Sequence, residues 1–207
     1  MSFRLGLISD IHADPAPLRE ALSIFTQQAV DQVVCLGDIG GYGEEIEATL
    51  ELLEQYHCQS IQGNHEAWYL EQAPASEDDV PGRYYQSLPV IMDLSIEGKT
   101  LYMVHASPPD SLMDGIRLLD QNGNVDPAQK EAWTAYLNDL ERDVLIVGHT
   151  HQVFAEQLGN TLVINPGSTT YNHSCAILDL PELKVSFIPL SNKPIAKTWN
   201  WGDQVRN

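Results

Sequence analysis

FRLGLISDIH, residues 3–12, is the stretch of sequence that decides the fold. Its apolar part, Phe3–Ser9, predicts a buried strand, and Asp10 and His12 follow where that strand ends. Polar side chains at the ends of such strands converge on one edge of a sheet, where a ligand crevice is expected. Four further polar motifs lie along the chain, most of them also after an apolar run: Gly37-Asp38, Gly63-Asn64-His65-Glu66, His105 and Gly148-His149-Thr150-His151.

The bulk composition predicts one globular domain over residues 1–207. A chain of 207 residues is long enough to bury a core without metal or disulfide staples. Its 11 Lys plus Arg against 29 Asp plus Glu give a formal net charge of −18. That charge argues against a stable nucleic-acid partner or an anionic membrane. It is compatible with an anionic substrate where bound cations invert the field locally.

Cysteine usage indicates a reducing compartment. Cys35, Cys58 and Cys175 are isolated in the sequence, and no CxxC pair suggests a zinc ribbon or a redox motif. We expect them to be buried free thiols. The sequence shows no signal peptide and no apolar run long enough to span a bilayer, so we expect a cytoplasmic protein.

The first half of the chain alternates predicted strands and helices. Asp14 and Pro15 are residue types that begin a helix, and the apolar residues after them mark one helix face. Such a βαβαβ pattern is typical of a parallel sheet, so the predicted fold class is α/β. The strands predicted in this half are Phe3–Ser9, Gln32–Leu36 and Cys58–Gln62.

The second half has the pattern of hairpins. Before it, Ala73–Gly82 is polar, acidic and contains proline, which predicts a mobile surface loop. One further helix is predicted over Pro127–Leu140, with a stripe of Trp133, Tyr136, Leu137 and Leu140 that we expect to pack in the core. The predicted hairpins pair Asp93–Glu97 with Thr100–Val104, Gln152–Leu158 with Thr161–Ile164, and Ala176–Leu180 with Lys184–Leu190.

The polar motifs have the chemistry of metal ligands. Residues two apart in an extended segment project to the same side, so Asp10 and His12 are expected to bind one ion together, and likewise His149 and His151. The carboxylate of Asp38 has two oxygens and can bridge two cations. This mixture of imidazole and oxygen donors suits manganese, iron, zinc or nickel and fits calcium poorly.

A two-metal site favours one reaction class. Two cations roughly 3.5–4 Å apart can clamp the attacking and leaving oxygens of an in-line phosphoryl displacement. They also lower the pKa of a shared water, which gives a hydroxide nucleophile near neutral pH. Two carboxylates do not cancel the charge of two divalent cations, so the pocket of this acidic chain would still attract phosphate.

The complete set of motifs, Asp-x-His, Gly-Asp, Gly-Asn-His-Glu, His and Gly-His-x-His, resembles the calcineurin-like metallophosphoesterase superfamily. It is most similar to the small single-domain YfcE and diadenosine-tetraphosphatase-like members, and Asn165-Pro166-Gly167-Ser168 fits the same group. The resemblance implies two mixed β-sheets packed as a sandwich and flanked by helices.

The resemblance also implies a role for each motif residue. Two divalent transition metals are implied, with manganese expected first and iron, zinc or nickel as alternatives. His65 would be the general acid that protonates the leaving oxygen, and Glu66, found where Asp is frequent, could orient it. The implied ligands are Asp10, His12 and His151 for the first metal, Asp38 as the bridge, and Asn64, His105 and His149 for the second.

The sequence leaves the substrate open. A small phosphorylated substrate is expected, either a phosphodiester or a phosphomonoester. Dinucleoside polyphosphate hydrolysis and protein dephosphorylation are alternatives on the same site, and a non-catalytic metal-binding interaction module is the alternative of a different class. Oligomeric state is equally open: the tail Pro194–Asn207, with Trp199 and Trp201, could dock on the body of the protein or on a second subunit of a homo-oligomer.

Overall fold

The structure is a computed structural model that describes residues 3–72, 76 and 78–199. These residues form ten strands and five helices. In chain order they are β1 (Phe3–Ile8), α1 (Pro15–Gln27), β2 (Gln32–Cys35), α2 (Ile46–Gln55), β3 (Gln59–Ser60), α3 (Asn64–Gln72), α4 (Val80–Ser87), β4 (Ile91–Ile96), β5 (Lys99–Val104), α5 (Pro127–Tyr136), β6 (Val144–Ile146), β7 (Val153–Leu158), β8 (Thr161–Pro166), β9 (Ser174–Leu180) and β10 (Lys184–Pro189).

The strands form two five-stranded mixed sheets. The first has the order β10-β9-β1-β2-β3, and the second has the order β4-β5-β6-β8-β7. The βαβαβ half predicted from sequence is the parallel run β1-β2-β3, and the three predicted hairpins are the antiparallel pairs β4-β5, β7-β8 and β9-β10. The predicted α/β class with two mixed sheets is therefore confirmed.

The two sheets pack face to face. In β1, Leu5 and Leu7 point into the space between the sheets, where Leu101 and Ile146 of the second sheet meet them. Ile8 lies on the other face of β1 and packs in the cluster formed with α1 and α2. Because both faces of β1 are covered from Leu5 onwards, the stretch of residues 5–8 contains no polar residue instead of alternating polar and apolar ones.

The helix predicted over Pro127–Leu140 is shorter than expected and lies on the surface. It ends at Tyr136, and none of its residues is buried. Tyr136 is 59% exposed, and its hydroxyl donates a hydrogen bond to the carbonyl of Pro108 at 2.9 Å. Leu137, just beyond the helix, is the one residue of the predicted stripe that is buried, while Trp133 and Leu140 are partly buried against the same cluster.

The predicted loop Ala73–Gly82 also contains the start of a helix. Asp79 caps α4, since its carboxylate accepts a hydrogen bond from the N–H of Gly82 at 2.9 Å. Residues 73–75 and 77 lie outside the described part of the chain. Among the described helices, none is long and apolar enough to cross a membrane.

Candidate metal centre

The polar motifs meet where strands of both sheets end. Asp10 follows β1 and Asp38 follows β2 in the first sheet, whereas His105 follows β5 and His149 follows β6 in the second. Asn64 is the first residue of α3, the helix that follows β3 in the chain. The sandwich therefore brings the carboxyl ends of four parallel-paired strands to one place.

One donor group consists of Asp10, His12 and His151, all buried. Nε2 of His151 lies 3.3 Å from Nε2 of His12 and 3.3 Å from Oδ1 of Asp10. A second group consists of Asp38, His105 and His149.

Asn64 joins the second group through its side-chain oxygen. Oδ1 of Asn64 lies 3.1 Å from Nε2 of His105 and 2.9 Å from Nδ1 of His149. Oδ2 of Asp38 lies 3.4 Å from Nε2 of the same His105. The structure thus brings together all seven side chains that the sequence marked as candidate ligands.

The donor atoms fit divalent transition metals. Oδ1 of Asp10 is buried without a hydrogen-bond partner among the described residues. Four ligands at about 2.0–2.1 Å from a tetrahedral ion stand about 3.3 Å from one another, which matches the separations found here. Two imidazole nitrogens facing each other at 3.3 Å, as in His12 and His151, suit a shared cation.

The ligand-bearing turns have an unusual backbone. Asp10, His12, Asp38, His149 and His151 all have positive φ, between 49° and 62°. Non-glycine residues adopt this left-handed region rarely and at some cost in energy, and such residues concentrate at functional sites. The expectation that Asp10 and His12 lie in an extended segment is therefore wrong: they reach the site through a turn.

The expectation that His149 and His151 bind one ion together is also wrong. The structure places His151 with Asp10 and His149 with Asp38, in separate donor groups. Gly148 begins this turn without a side chain because no room exists for one. A Cβ there would stand 2.1 Å from Oγ of Ser9 and 2.8 Å from Oδ2 of Asp10.

His65 lies at the edge of the site. Its side chain is 13% exposed, and its Nε2 is 4.0 Å from Oδ2 of Asp38. His65 also forms a third donor group with His12 and Asp38, since the ligand atoms of the three side chains lie close together. Burial lowers the pKa of the His65 imidazole, against the raising effect of the Asp38 and Asp10 charges.

Glu66 does not orient His65. This fully buried carboxylate instead accepts hydrogen bonds from the backbone N–H groups of Asp38, Ile39, Gly40 and Gly63, at 2.8–3.0 Å. It therefore clamps the turn that carries Asp38. Burial and the neighbouring Asp38 charge raise the pKa of Glu66 to about 7.

The metal-free site is strongly polarised. Burial opposes the charge of Asp10, but His151, His105 and His12 together outweigh it, and the pKa of Asp10 is lowered. Burial also works against a charged His105, yet Asp38 and Asp10 raise the pKa of that imidazole to about 9. For His12 the effect of burial exceeds that of the Asp10 and Asp38 charges, and its pKa falls to about 4. The carboxylate of Asp10 is thus ionised, and protons are shared unequally among the histidines.

The Asn165–Ser168 segment ties the ligand turns together. Oγ of Ser168 donates to the carbonyl of Asp10 at 2.6 Å, and Nδ2 of Asn165 donates to the carbonyl of Gly148 at 2.8 Å. These two contacts connect the end of β1 with the end of β6. The sequence pointed to this segment by resemblance alone.

Two aromatic residues at the site were not anticipated. Tyr42 stands 4.8 Å from His12 and 4.7 Å from His65 between ring centroids. Tyr171 stacks on His151 at 5.4 Å with the planes 19° apart. Neither residue follows an apolar strand, so the pattern that marked the ligands could not mark them.

The C-terminal tail docks on the body of the protein as far as Trp199. The Trp199 ring stacks on Tyr171 at 4.3 Å, and its backbone N–H donates to the carbonyl of His151 at 3.1 Å. The tail therefore reaches one of the candidate ligands. Trp201 lies outside the described residues.

Comparison with known proteins agrees with this geometry. The family described as the calcineurin-like phosphoesterase superfamily domain matches residues 3–182. The chain belongs to this superfamily. It is accordingly a hydrolase that acts on phosphoester bonds, in a family that uses divalent metal ions.

One sequence relative and two solved structures illustrate the similarity, the structures in fold alone. The chain is 27% identical over 168 residues to a probable metallophosphoesterase of Methanothermobacter thermautotrophicus, covering 80% of this chain and 77% of that one. A hypothetical protein from Pyrococcus horikoshii has a similar fold, with a TM-score of 0.70, 18% identity and coverage of 90% and 87%. The E. coli phosphoesterase YfcE gives a TM-score of 0.55 at 22% identity, covering 91% of this chain and 100% of that one. The predicted family and fold are confirmed.

Proposed function

We propose that this phosphoesterase hydrolyses small phosphate esters, phosphodiesters or phosphomonoesters, at a binuclear metal centre. The observation that carries the proposal is the pair of adjacent, largely buried donor groups. The third group, His12, Asp38 and His65, shares His12 with the first of them and Asp38 with the second. Asp10, His12 and His151 would hold the first ion. Asp38 would bridge, and the second ion would be held by Asn64, His105 and His149.

Two divalent ions bound there, with manganese as the first choice, would supply an activated water nucleophile and would offset the charge of the phosphate. The protein would hold these ions with side chains that are largely buried and fixed in position. Six of the seven proposed ligand side chains belong to buried residues, and only His149 is half-buried. Burial of this kind strengthens electrostatic interactions with a bound phosphate.

His65 would be the general acid. Its side chain is partly accessible and stands beside Asp38, so a leaving oxygen bound there could reach Nε2. The imidazole would hold a proton at Nε2 and transfer it as the ester bond breaks. Because burial lowers the pKa of His65, it gives up that proton more readily than an exposed histidine.

The test is a hydrolysis panel with metal-stripped and metal-loaded protein. Phosphomonoesters, phosphodiesters and dinucleoside polyphosphates would be assayed with manganese, magnesium, nickel, zinc and iron. We expect turnover only with added metal. The Asp38→Ala variant should lose both bound metal and turnover. The control Asp139→Ala should keep both, because Asp139 is exposed and belongs to none of the donor groups. Full activity of the stripped protein would refute the proposal.

A further inference from the structure

A cleft opens beside the first donor group. It has a volume of about 470 Å³, within the range of small-molecule sites. His12 is part of its lining, together with Tyr42 and Tyr171. We call it the His12 cleft. A substrate whose phosphate sits at the metal centre can place one of its ester substituents here.

The loop that forms one side of the His12 cleft passes very close to the site. A Cβ on Gly41 would stand 2.7 Å from Nδ1 of His65 and 2.9 Å from Nδ1 of His12. His12 is 2% exposed, and its Nδ1 has no hydrogen-bond partner in the described part of the chain. The cleft therefore borders the first donor group at His12, whose buried Nδ1 has no hydrogen-bond partner among the described residues.

Two aromatic rings form the walls of the His12 cleft. Their centroids are 6.3 Å apart and their planes are 69° apart, so Tyr42 and Tyr171 meet at a steep angle. Tyr42 is 52% exposed, so it lies at the open side of the His12 cleft. Two rings at this angle cannot hold a planar ring between parallel faces. They suit a compact, rounded cation that contacts both rings.

The charge of the lining points to the same chemistry. Three carboxylates line the His12 cleft, those of Asp14, Glu44 and Glu45, and no lysine or arginine is among the lining residues. A second phosphate placed here would meet three carboxylates and no lysine or arginine, which disfavours a polyphosphate. A cationic group would be attracted by the carboxylates while the phosphate of the same molecule is held at the metal centre.

We propose that the His12 cleft binds a small organic ammonium group carried by a phosphodiester, so that the preferred substrates are zwitterionic. This inference rests on the proposed function for the position of the phosphate. The aromatic walls and the negative rim define the ammonium subsite, whichever ester bond is cleaved.

The test compares two chromogenic diesters that differ in one charge. The first is p-nitrophenyl phosphorylcholine, and the second is the p-nitrophenyl diester of uncharged 3,3-dimethylbutanol, which has the shape of choline. With manganese-loaded protein we expect kcat/KM for the choline diester to exceed that for its neutral counterpart by about tenfold. The ratio should fall towards one in the double variant Glu44→Gln and Glu45→Gln, and in Tyr42→Leu.

The control is a second double variant, Glu47→Gln and Glu51→Gln, in the exposed face of α2. It removes the same amount of charge without touching the His12 cleft, so it should keep the wild-type ratio. An equal fall in both double variants would show that overall charge, and not the cleft, selects the substrate, and would overturn the proposal.

Binding of free choline separates this proposal from the proposed function. Calorimetric titration should show choline binding to the wild type and to the control, and markedly weaker binding to the Glu44→Gln and Glu45→Gln variant. Choline binding without hydrolysis of either diester would keep the cleft and refute the hydrolysis of phosphodiesters at the metal centre. Equal hydrolysis of both diesters, with no choline binding, would refute the cleft and leave the mechanism standing.

Discussion

Glu66→Gln tests whether the site depends on a buried carboxylate that touches no proposed ligand side chain. Each oxygen of Glu66 accepts two backbone hydrogen bonds: Oε1 from Ile39 and Gly40, and Oε2 from Asp38 and Gly63. Glutamine has the same shape but offers one acceptor oxygen, and its NH₂ group would face the other two N–H donors. Two buried donors therefore lose their partner in either orientation of the amide.

The magnitude follows from those two donors. A buried polar group left without a partner costs about 1–3 kcal/mol, so the variant should lose about 2–6 kcal/mol of unfolding free energy. The measurement is urea denaturation of metal-free protein at about pH 8, above the Glu66 pKa of about 7, so that the wild type carries the carboxylate. Manganese titration of the same samples should show weaker binding, since the turn that carries Asp38 is no longer held.

Glu71→Gln is the matched control, because Glu71 lies on the same helix, α3, and is exposed. Its unfolding free energy should stay within about 0.5 kcal/mol of the wild type, as for most surface substitutions. A Glu66→Gln variant as stable as this control, with unchanged manganese affinity, would refute the clamp.

Three other predictions concern the site itself. His65→Ala should keep two metal ions per chain by elemental analysis. Its kcat should fall about 10²–10⁴-fold for alkyl esters and much less for p-nitrophenyl esters. Loss of both ions would instead make His65 a ligand. Gly148→Ala should weaken metal binding and cost about 1–3 kcal/mol of stability, measured by denaturation, since its Cβ would press on Ser9 and Asp10; wild-type values would contradict the packing. Metal binding at neutral pH should release a proton, because the pKa of His105 in the metal-free protein is raised to about 9 and coordination needs the free nitrogen. Affinity should then rise with pH up to about 9, and calorimetry in buffers of different ionisation enthalpy that detects no proton release would contradict this.

Much of the fold could be read from the sequence because apolar runs and turn residues act locally. The parallel order β1-β2-β3 and the three hairpins follow from such signals. The position of β9 beside β1 does not, because a hairpin pattern does not say which sheet the hairpin joins. The exposed helix α5 shows the same limit: an aromatic stripe fits a core or a partly covered surface equally well.

Most of the candidate ligand residues could be found from sequence because they are polar side chains that follow an apolar strand, but their geometry could not. The role of Glu66 does not follow from the sequence, because adjacency in sequence does not mean proximity of side chains. His65 and Glu66 lie in the first turn of α3, where successive side chains point in different directions around the helix axis. Tyr42 and Tyr171 were missed because aromatic residues in loops carry no periodic signal.

The contacts that hold the site engage backbone atoms, and this bears on how it works. Glu66 holds the turn of Asp38 by its N–H groups, Ser168 holds Asp10 by its carbonyl, and Asn165 holds Gly148 in the same way. These three contacts restrain the strained, left-handed turns through backbone atoms. Because these contacts do not involve the ligand side chains, exchanging one divalent ion for another should change the rate of hydrolysis through the chemistry of the ion and leave the backbone of the site in place. The choice among substrates then falls to the surface around the site, where the His12 cleft lies.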